Sequence, residues 1–196
     1  MAVTKDESEL IELCRSGDRA AFGDLVRAHE QRVYNLAYRL TNDPQDAEDV
    51  TQEAFLKAYR NIARFEGTSS FYTWIYRITV NAVVSRRRYR AVRPATVPLS
   101  SPNGGEHPTL PPDASQPDPA DEAHRADVRR VVEDAIARLD EDHRVLVVLR
   151  DIEGRDYQEI AEILDCPRGT VKSRLHRARR MLRDLLAPVL PADSAV

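Results

Sequence analysis

At 196 residues, 42% of them apolar, the chain is long enough for one or two packed domains, and its net charge is only −3. No apolar run is long enough to span a bilayer and the opening MAVTKDESEL is charged, which excludes a membrane span or signal peptide and predicts a cytoplasmic protein. Two isolated cysteines, Cys14 and Cys166, and five scattered histidines argue against a disulfide framework or a metal site, so no cofactor is expected.

Seven glycines and few alternating β-branched runs predict an all-α protein. A first helix begins near Glu7, carries Leu10, Ile11, Leu13 and Cys14, and stops at Ser16-Gly17-Asp18. A second, following from Asp18, keeps Phe22, Leu25, Val26, Val33, Leu36, Ala37 and Leu40 on one stripe for about five turns. Thr41-Asn42-Asp43-Pro44 joins a cap to a proline at a first helical position and opens a third helix. That helix carries Asp43, Asp46, Glu48, Asp49 and Glu53 before its first base, Lys57. The helix dipole favours acids in the first turn, but Asp49 and Glu53 form a like-charge i, i+4 pair, mildly unfavourable in isolation. Such an acidic face predicts a basic partner.

Asn61–Ser70 reads as a loop bearing Phe65 and Gly67, after which a fourth helix buries Phe71, Trp74, Ile75, Ile78 and Ala82. Trp74 is expected in the core. From Gly67 to Gly105 there are six arginines (77, 86, 87, 88, 90 and 93) and no acid, interleaved with Tyr72, Tyr76 and Tyr89. A helix C-terminus favours some cations, yet five arginines within residues 86–93 exceed what a cap requires. Basic side chains with aromatic faces suit nucleic-acid backbone and unstacked bases.

Residues 91–120 hold eight of the twelve prolines and no hydrophobic pattern, which predicts an extended, flexible linker, acidic in its far half. Beyond it Val128, Val131, Val132, Ala135, Ile136 and Leu139 mark one helix, and RVLVVLRDIEG a second, with Asp140 as its cap and Gly154 as a left-handed terminator. Asp156 and Glu159 then form a capping box ahead of Ile160, Ala161 and Leu164, and Asp165-Cys166-Pro167 turns the chain into a last helix. That helix buries Val171, Leu175, Ala178 and Leu182, while Lys172, Ser173, His176, Arg177 and Arg180 face away at about 100° per residue. Residues 168–183 include seven Lys/Arg and no acid. Two helices at a tight corner, the second polar and basic outside, make a helix-turn-helix whose second member lies in the DNA major groove; on an acidic chain this local excess favours phosphate over a merely solvated face.

DAEDVTQEAFLKAYRNIARF with SSFYTWIYRITVNAV resembles region 2, and LDEDHRVLVVLRDIEGRDYQEIAEILDCPRGTVKSRLHRARRML resembles region 4, of the extracytoplasmic-function (ECF) sigma factors of the bacterial sigma-70 family, in the family's order. The resemblance implies two small helical domains, region 2 over residues 1–92 and region 4 over 121–190, joined by a flexible linker over 93–120. It implies binding to core RNA polymerase, through the coiled coil of the largest subunit and the flap, and promoter-specific initiation. The family's D-x-x-Q-E falls on Asp49, Gln52 and Glu53, the implied coiled-coil contact. At the −10 element Phe65 would stack on a flipped base, Asn81 would touch bases, and Arg86, Arg87 and Arg88 would hold phosphates. In the −35 major groove the resemblance places Arg168, Thr170, Lys172, Ser173, Arg174 and Arg177. It implies an anti-sigma protein among the partners and no catalysis. The departure from the family is the long, acidic, Pro-rich linker, which is short in relatives. The other function class consistent with a helix-turn-helix is a stand-alone transcriptional regulator, which needs neither the acidic triad nor the arginine-rich fourth helix. An enzyme has no support: there is no phosphate loop, metal cluster or nucleophile motif.

Overall fold

The structure, a computed structural model, describes the backbone of residues 6–92 and 119–189, and the side chains of 6–89 and 125–189. Every regular element among them is helical. The first half comprises α1 (Glu7–Arg15), α2 (Arg19–Thr41), α3 (Pro44–Asn61), a 3-10 turn (Ile62–Arg64) and α4 (Phe71–Val92). Local chemistry sets each boundary. The Asp18 carboxylate accepts from the backbone N–H of Ala20 (2.8 Å) and Ala21 (3.2 Å), satisfying donors that the first turn of α2 leaves open. Asn42 takes the left-handed conformation (φ 55°) that ends α2, and Asp43 caps α3 through the Asp46 N–H at 2.8 Å, with Pro44 first in the helix. Leu25, Val33 and Leu36 of α2 meet Val50, Ala54 and Ala58 of α3 and Ile75 and Ala82 of α4 in a core closed to solvent. The alanines on the inner face of α3 let the flanking helices approach, and each leucine buried contributes about 1.5–3 kcal/mol.

The second half runs through α5 (Pro119–Ala137), α6 (Glu141–Val147), a π-helical turn (Val148–Ile152), α7 (Tyr157–Leu164) and α8 (Arg168–Leu186). Asp140 caps α6 through the His143 N–H at 3.1 Å. The helix expected to run straight through RVLVVLRDIEG instead widens by one residue, so that the Glu153 N–H reaches the Val148 carbonyl at 2.9 Å. Gly154, at φ 68°, then turns the chain away. The capping box at α7 is complete: Asp156 accepts from the Gln158 and Glu159 N–H groups, and the Glu159 carboxylate accepts from the Asp156 N–H at 2.9 Å. Asp165 (φ 49°) ends α7, and α8 begins at Arg168, one residue after the proline expected to open it. Leu146 and Leu149 pack with Ile160, Ile163, Val171 and Leu175 in the core of this half.

The halves pack on each other: α7 lies on α4, and α2 meets α5, α6 and the π turn. Arg144, only 8% exposed, fastens the joint. Its Nη1 donates to the Leu40 carbonyl of α2 at 2.7 Å and its Nη2 to the Leu139 carbonyl at 3.0 Å and to that of Ala137. These bonds consume carbonyls that helix ends leave open. Of the expected linker, 93–118 lies outside the described residues, and Pro119 and Ala120 belong to α5 rather than to a tether.

Candidate nucleic-acid interface

On α8 the structure follows the expected stripe except at Leu182, which is half-buried near the end of the helix. Val171, Leu175 and Ala178 are buried, which fixes the rotation of the helix and leaves Arg168, Lys172, Ser173, Arg174 and Arg177 in solvent, with Thr170 half-buried at the first turn. The Ser173 hydroxyl donates to the Thr170 backbone carbonyl at 3.1 Å, which holds the Ser173 side chain back against the first turn. Among the described residues no carboxylate pairs with Arg168, Lys172, Arg174 or Arg177. Arg179 is the exception in the basic run: its Nε donates to Asp151 at 3.1 Å and its Nη2 to the other oxygen, so it ties α8 to the π turn. Burial works against the Arg179 charge, but the Asp151 hydrogen bond outweighs it and raises the guanidinium's pKa.

The acidic face of α3 differs from expectation. That face, expected to find its basic partner outside its own helix, is partly met within the chain: Lys57 of the same helix bonds Glu53 at 2.6 Å and Arg86 of α4 bonds Asp49 at 2.5 Å and Asp46 at 3.1 Å. The intrahelical pair follows from i, i+4 spacing; the other crosses from a helix 37 residues downstream. Gln52 remains exposed, and Asp49 and Glu53 are half-exposed. Burial disfavours the Arg86 cation, but hydrogen bonds and charge from Asp49 and Asp46 overcome this and raise its pKa. Arg86 is therefore a structural cation, engaged by two carboxylates rather than held out to phosphate. Arg87 and Arg88 stand in solvent, Arg87 with Glu141 of α6 at 3.8 Å.

The aromatic residues also depart from expectation. Phe65, placed by the resemblance under a flipped base, is 5% exposed, its ring 4.9 Å from that of Trp74 and 6.2 Å from that of Phe71. The 3-10 turn explains this: the Phe65 N–H bonds the Ile62 carbonyl at 3.0 Å, and the tight turn drives the side chain inward. Asn81, one and a half turns before Arg86, is exposed as a base contact requires. Tyr72 and Tyr76 do not face solvent; they are 8% and 0% exposed, covered by the second half. Tyr76 donates its hydroxyl to Glu153 at 3.0 Å, the Tyr72 hydroxyl lies 3.4 Å from the same oxygen, and Arg39 of α2 pairs with the other. Burial foremost, with the Glu153 charge, pushes the Tyr72 phenol up to about 12 and raises Tyr76 as well. Arg39 and Glu153 escape notice in the sequence because nothing near either of them announces a bond across 114 residues.

Known proteins match this arrangement in the same order. The family description Sigma-70 region 2 covers residues 25–93 and Sigma-70, region 4 covers 129–182. The RNA polymerase sigma-H factor of Pseudomonas aeruginosa is 36% identical over 194 residues, covering 97% of this chain and 98% of that protein. The chain belongs to the ECF sigma-70 family. The ECF RNA polymerase sigma-E factor of Haemophilus influenzae is likewise 36% identical to this sigma factor, over 97% of this chain and all of the relative (100%). The solved structure of CnrH in complex with the cytosolic domain of CnrY superposes on it with a TM-score of 0.65 at 26% identity, covering 92% of this chain and 97% of that one. Sigma region 2 thus corresponds to the α2–α4 bundle and region 4 to α5–α8, so the cation-faced α8 belongs to region 4. No described helix of this sigma factor is long and apolar enough to cross a membrane.

Proposed function

We propose that this ECF sigma factor, which directs promoter-specific initiation by RNA polymerase, divides the work between its two halves as follows. The observation that carries the reading is the outer face of α8, where Arg168, Lys172, Arg174 and Arg177 have no carboxylate partner among the described residues although the whole chain is acidic. With Thr170 and Ser173 these side chains enter the −35 major groove, phosphate contacts fixing register and a subset reading base edges. A bidentate arginine on guanine supplies roughly 1–3 kcal/mol of discrimination there.

The exposed flank of α3, Asp49, Gln52 and Glu53, docks on the coiled coil of the polymerase largest subunit, and region 4 docks on the flap. Because Arg86 holds Asp49 from behind, it presents the docking carboxylate, while Asn81, Arg87 and Arg88 meet the −10 element. Phe65 reaches a flipped base only in a conformation where its ring has left Trp74. Opening duplex DNA costs about 1.4 kcal/mol per base-pair step, and one base stacked on an aromatic returns on the order of 1–3 kcal/mol. Sigma therefore nucleates opening, and polymerase propagates it. The factor carries no catalytic chemistry of its own and works in the cytoplasm beside the polymerase. An anti-sigma protein is a further partner, by likeness to CnrH in its complex with CnrY.

Run-off transcription with purified core polymerase and a promoter library tests the reading. Initiation at a discrete set of start sites, dependent on added chain, is the expected result. Tight binding to duplex operators without initiation anywhere would instead speak for a stand-alone regulator.

A further inference from the structure

The contact between the halves centres on one carboxylate. Glu153, delivered by the π turn, pairs with Arg39 of α2 and accepts from Tyr76 of α4 at 3.0 Å, with the Tyr72 hydroxyl at 3.4 Å. Arg155, two residues on, lies over the Tyr72 ring at 4.3 Å, and Arg32 flanks the same ring at 6.0 Å. The first half therefore turns one guanidinium, that of Arg39, and two phenols towards a single acidic side chain of the second half, with the Arg32 guanidinium beside the Tyr72 ring. A cluster of that composition selects an anion, and a phosphate oxygen satisfies it as well as a carboxylate oxygen does.

The closed arrangement cannot be the one that sits on a promoter. The −10 and −35 elements lie about 25 base pairs apart, roughly 85 Å at about 3.4 Å per pair, whereas α4 and α7 are in direct contact. Residues 93–118, which join α4 to α5, can reach about 90 Å when fully extended, so the covalent connection allows the separation that the contact forbids. When region 4 departs, Arg39 loses its carboxylate and the Tyr72 ring loses its cover.

We infer that Arg39, Tyr72 and Tyr76 form an anion socket on region 2 that Glu153 plugs in the closed molecule and that takes a backbone phosphate of the promoter strand once region 4 moves away. The plug and the strand compete for one site, so closure is self-inhibiting and promoter engagement holds the molecule open. Any agent that favours the open form, core polymerase included, gains the socket for DNA. The uncovered Tyr72 ring supplies a stacking face beside the phosphate. This rests on the reading that region 2 meets the −10 DNA.

The test uses the full chain without polymerase. Glu153→Gln removes the charge of the plug and keeps the socket; Arg39→Gln/Glu153→Gln dismantles both; Arg39→Glu/Glu153→Arg exchanges the partners. Small-angle scattering reads closure, circular dichroism confirms helix content, and anisotropy of a fluorescein-labelled mixed-sequence single strand reads the socket. Glu153→Gln should expand the molecule and tighten strand binding roughly tenfold, with a salt slope steeper by about 0.7 for one added phosphate contact. The double glutamine variant should stay expanded but lose that gain, and the exchanged pair should be compact and weak in binding. Unchanged scattering from a fully helical Glu153→Gln chain would show that Glu153 is no latch. Equal strand affinity in Glu153→Gln and the double variant would show that Arg39 holds no phosphate. A wild-type chain that initiates nowhere with core polymerase would sink the promoter reading, while scattering would still judge the latch on its own.

Discussion

On α8, Arg168, Lys172, Arg174 and Arg177 project into solvent with no acid among the described residues bonded to them, whereas on the first half Arg39 is paired with Glu153 and Arg86 with Asp46 and Asp49. Both regions read as cationic surfaces along the sequence, but on the first half Arg86 is drawn into ion pairs and Arg87 and Arg88 are left in solvent. The difference lies in what each helix packs against. The buried stripe of α8 faces its own bundle, so its outer face is left over, while α4 is sandwiched between α3 and α7, with Asp46 and Asp49 of α3 reaching its Arg86 and Glu153, at the end of the π turn, reaching its tyrosines. A local surplus of charge shows what a surface holds; its availability depends on residues tens of positions away.

The strongest way to break this contrast is Phe65→Ala. If the ring belongs to the core, as its contacts with Trp74 and Phe71 indicate, truncation should cost roughly 3–5 kcal/mol of stability in denaturant titration. A variant that loses promoter opening while its unfolding midpoint stays put would return Phe65 to the DNA face. Next is Arg144→Ala, which strands the Leu40 and Leu139 carbonyls at the joint and should cost about 2–3 kcal/mol. An unchanged midpoint would mean that water takes over those carbonyls and that the halves adhere for other reasons.

Two smaller effects sharpen the comparison from the exposed side. Asp49→Lys should weaken association with core polymerase by roughly tenfold through a like-charge contact, with only a modest stability loss because Asp46 still holds Arg86; undiminished co-purification would remove α3 from the docking surface. Lys172→Ala should leave the melting temperature unaltered, since the side chain is exposed and has no ion-pair partner among the described residues. It should weaken duplex binding and lower the salt slope by about one. A constant slope would mean that Lys172 touches no phosphate.

The parts of this fold that were legible are those decided within a turn or two of chain. Asp43, Asp140 and Asp156 announce their helices because a cap is a bond between near neighbours, and most of the α8 stripe is legible because one period fixes which side chains are buried. The π turn was not, since its widening depends on how α6 leaves the core rather than on any residue type in VLRDI. Nor were the Arg86–Asp49 and Arg39–Glu153 pairs, whose partners are 37 and 114 residues apart. The candidate site divides in the same way, with its −35 half readable from local pattern and its −10 half dependent on distant contacts.

The weakest effect expected is alkaline loosening of the joint. Tyr72 has its phenol pushed up to about 12 from an ordinary 10, chiefly by burial and further by the Glu153 charge, and Tyr76 moves the same way. A raised folded-state value means that the closed form binds more protons than the open or unfolded chain above pH 10, so the stabilisation is complete below pH 10 and declines as pH rises towards 12. Of the seven tyrosines, Tyr72 and Tyr76 should be late to ionise in a tyrosinate absorbance titration, and their ionisation should coincide with expansion in scattering. In Glu153→Gln the open form exposes both rings and removes the nearby negative charge, so their ionisation should shift down towards pH 10. If those two transitions keep their positions in the variant, burial within the first half alone holds the phenols up, and the second half covers them without restraining them.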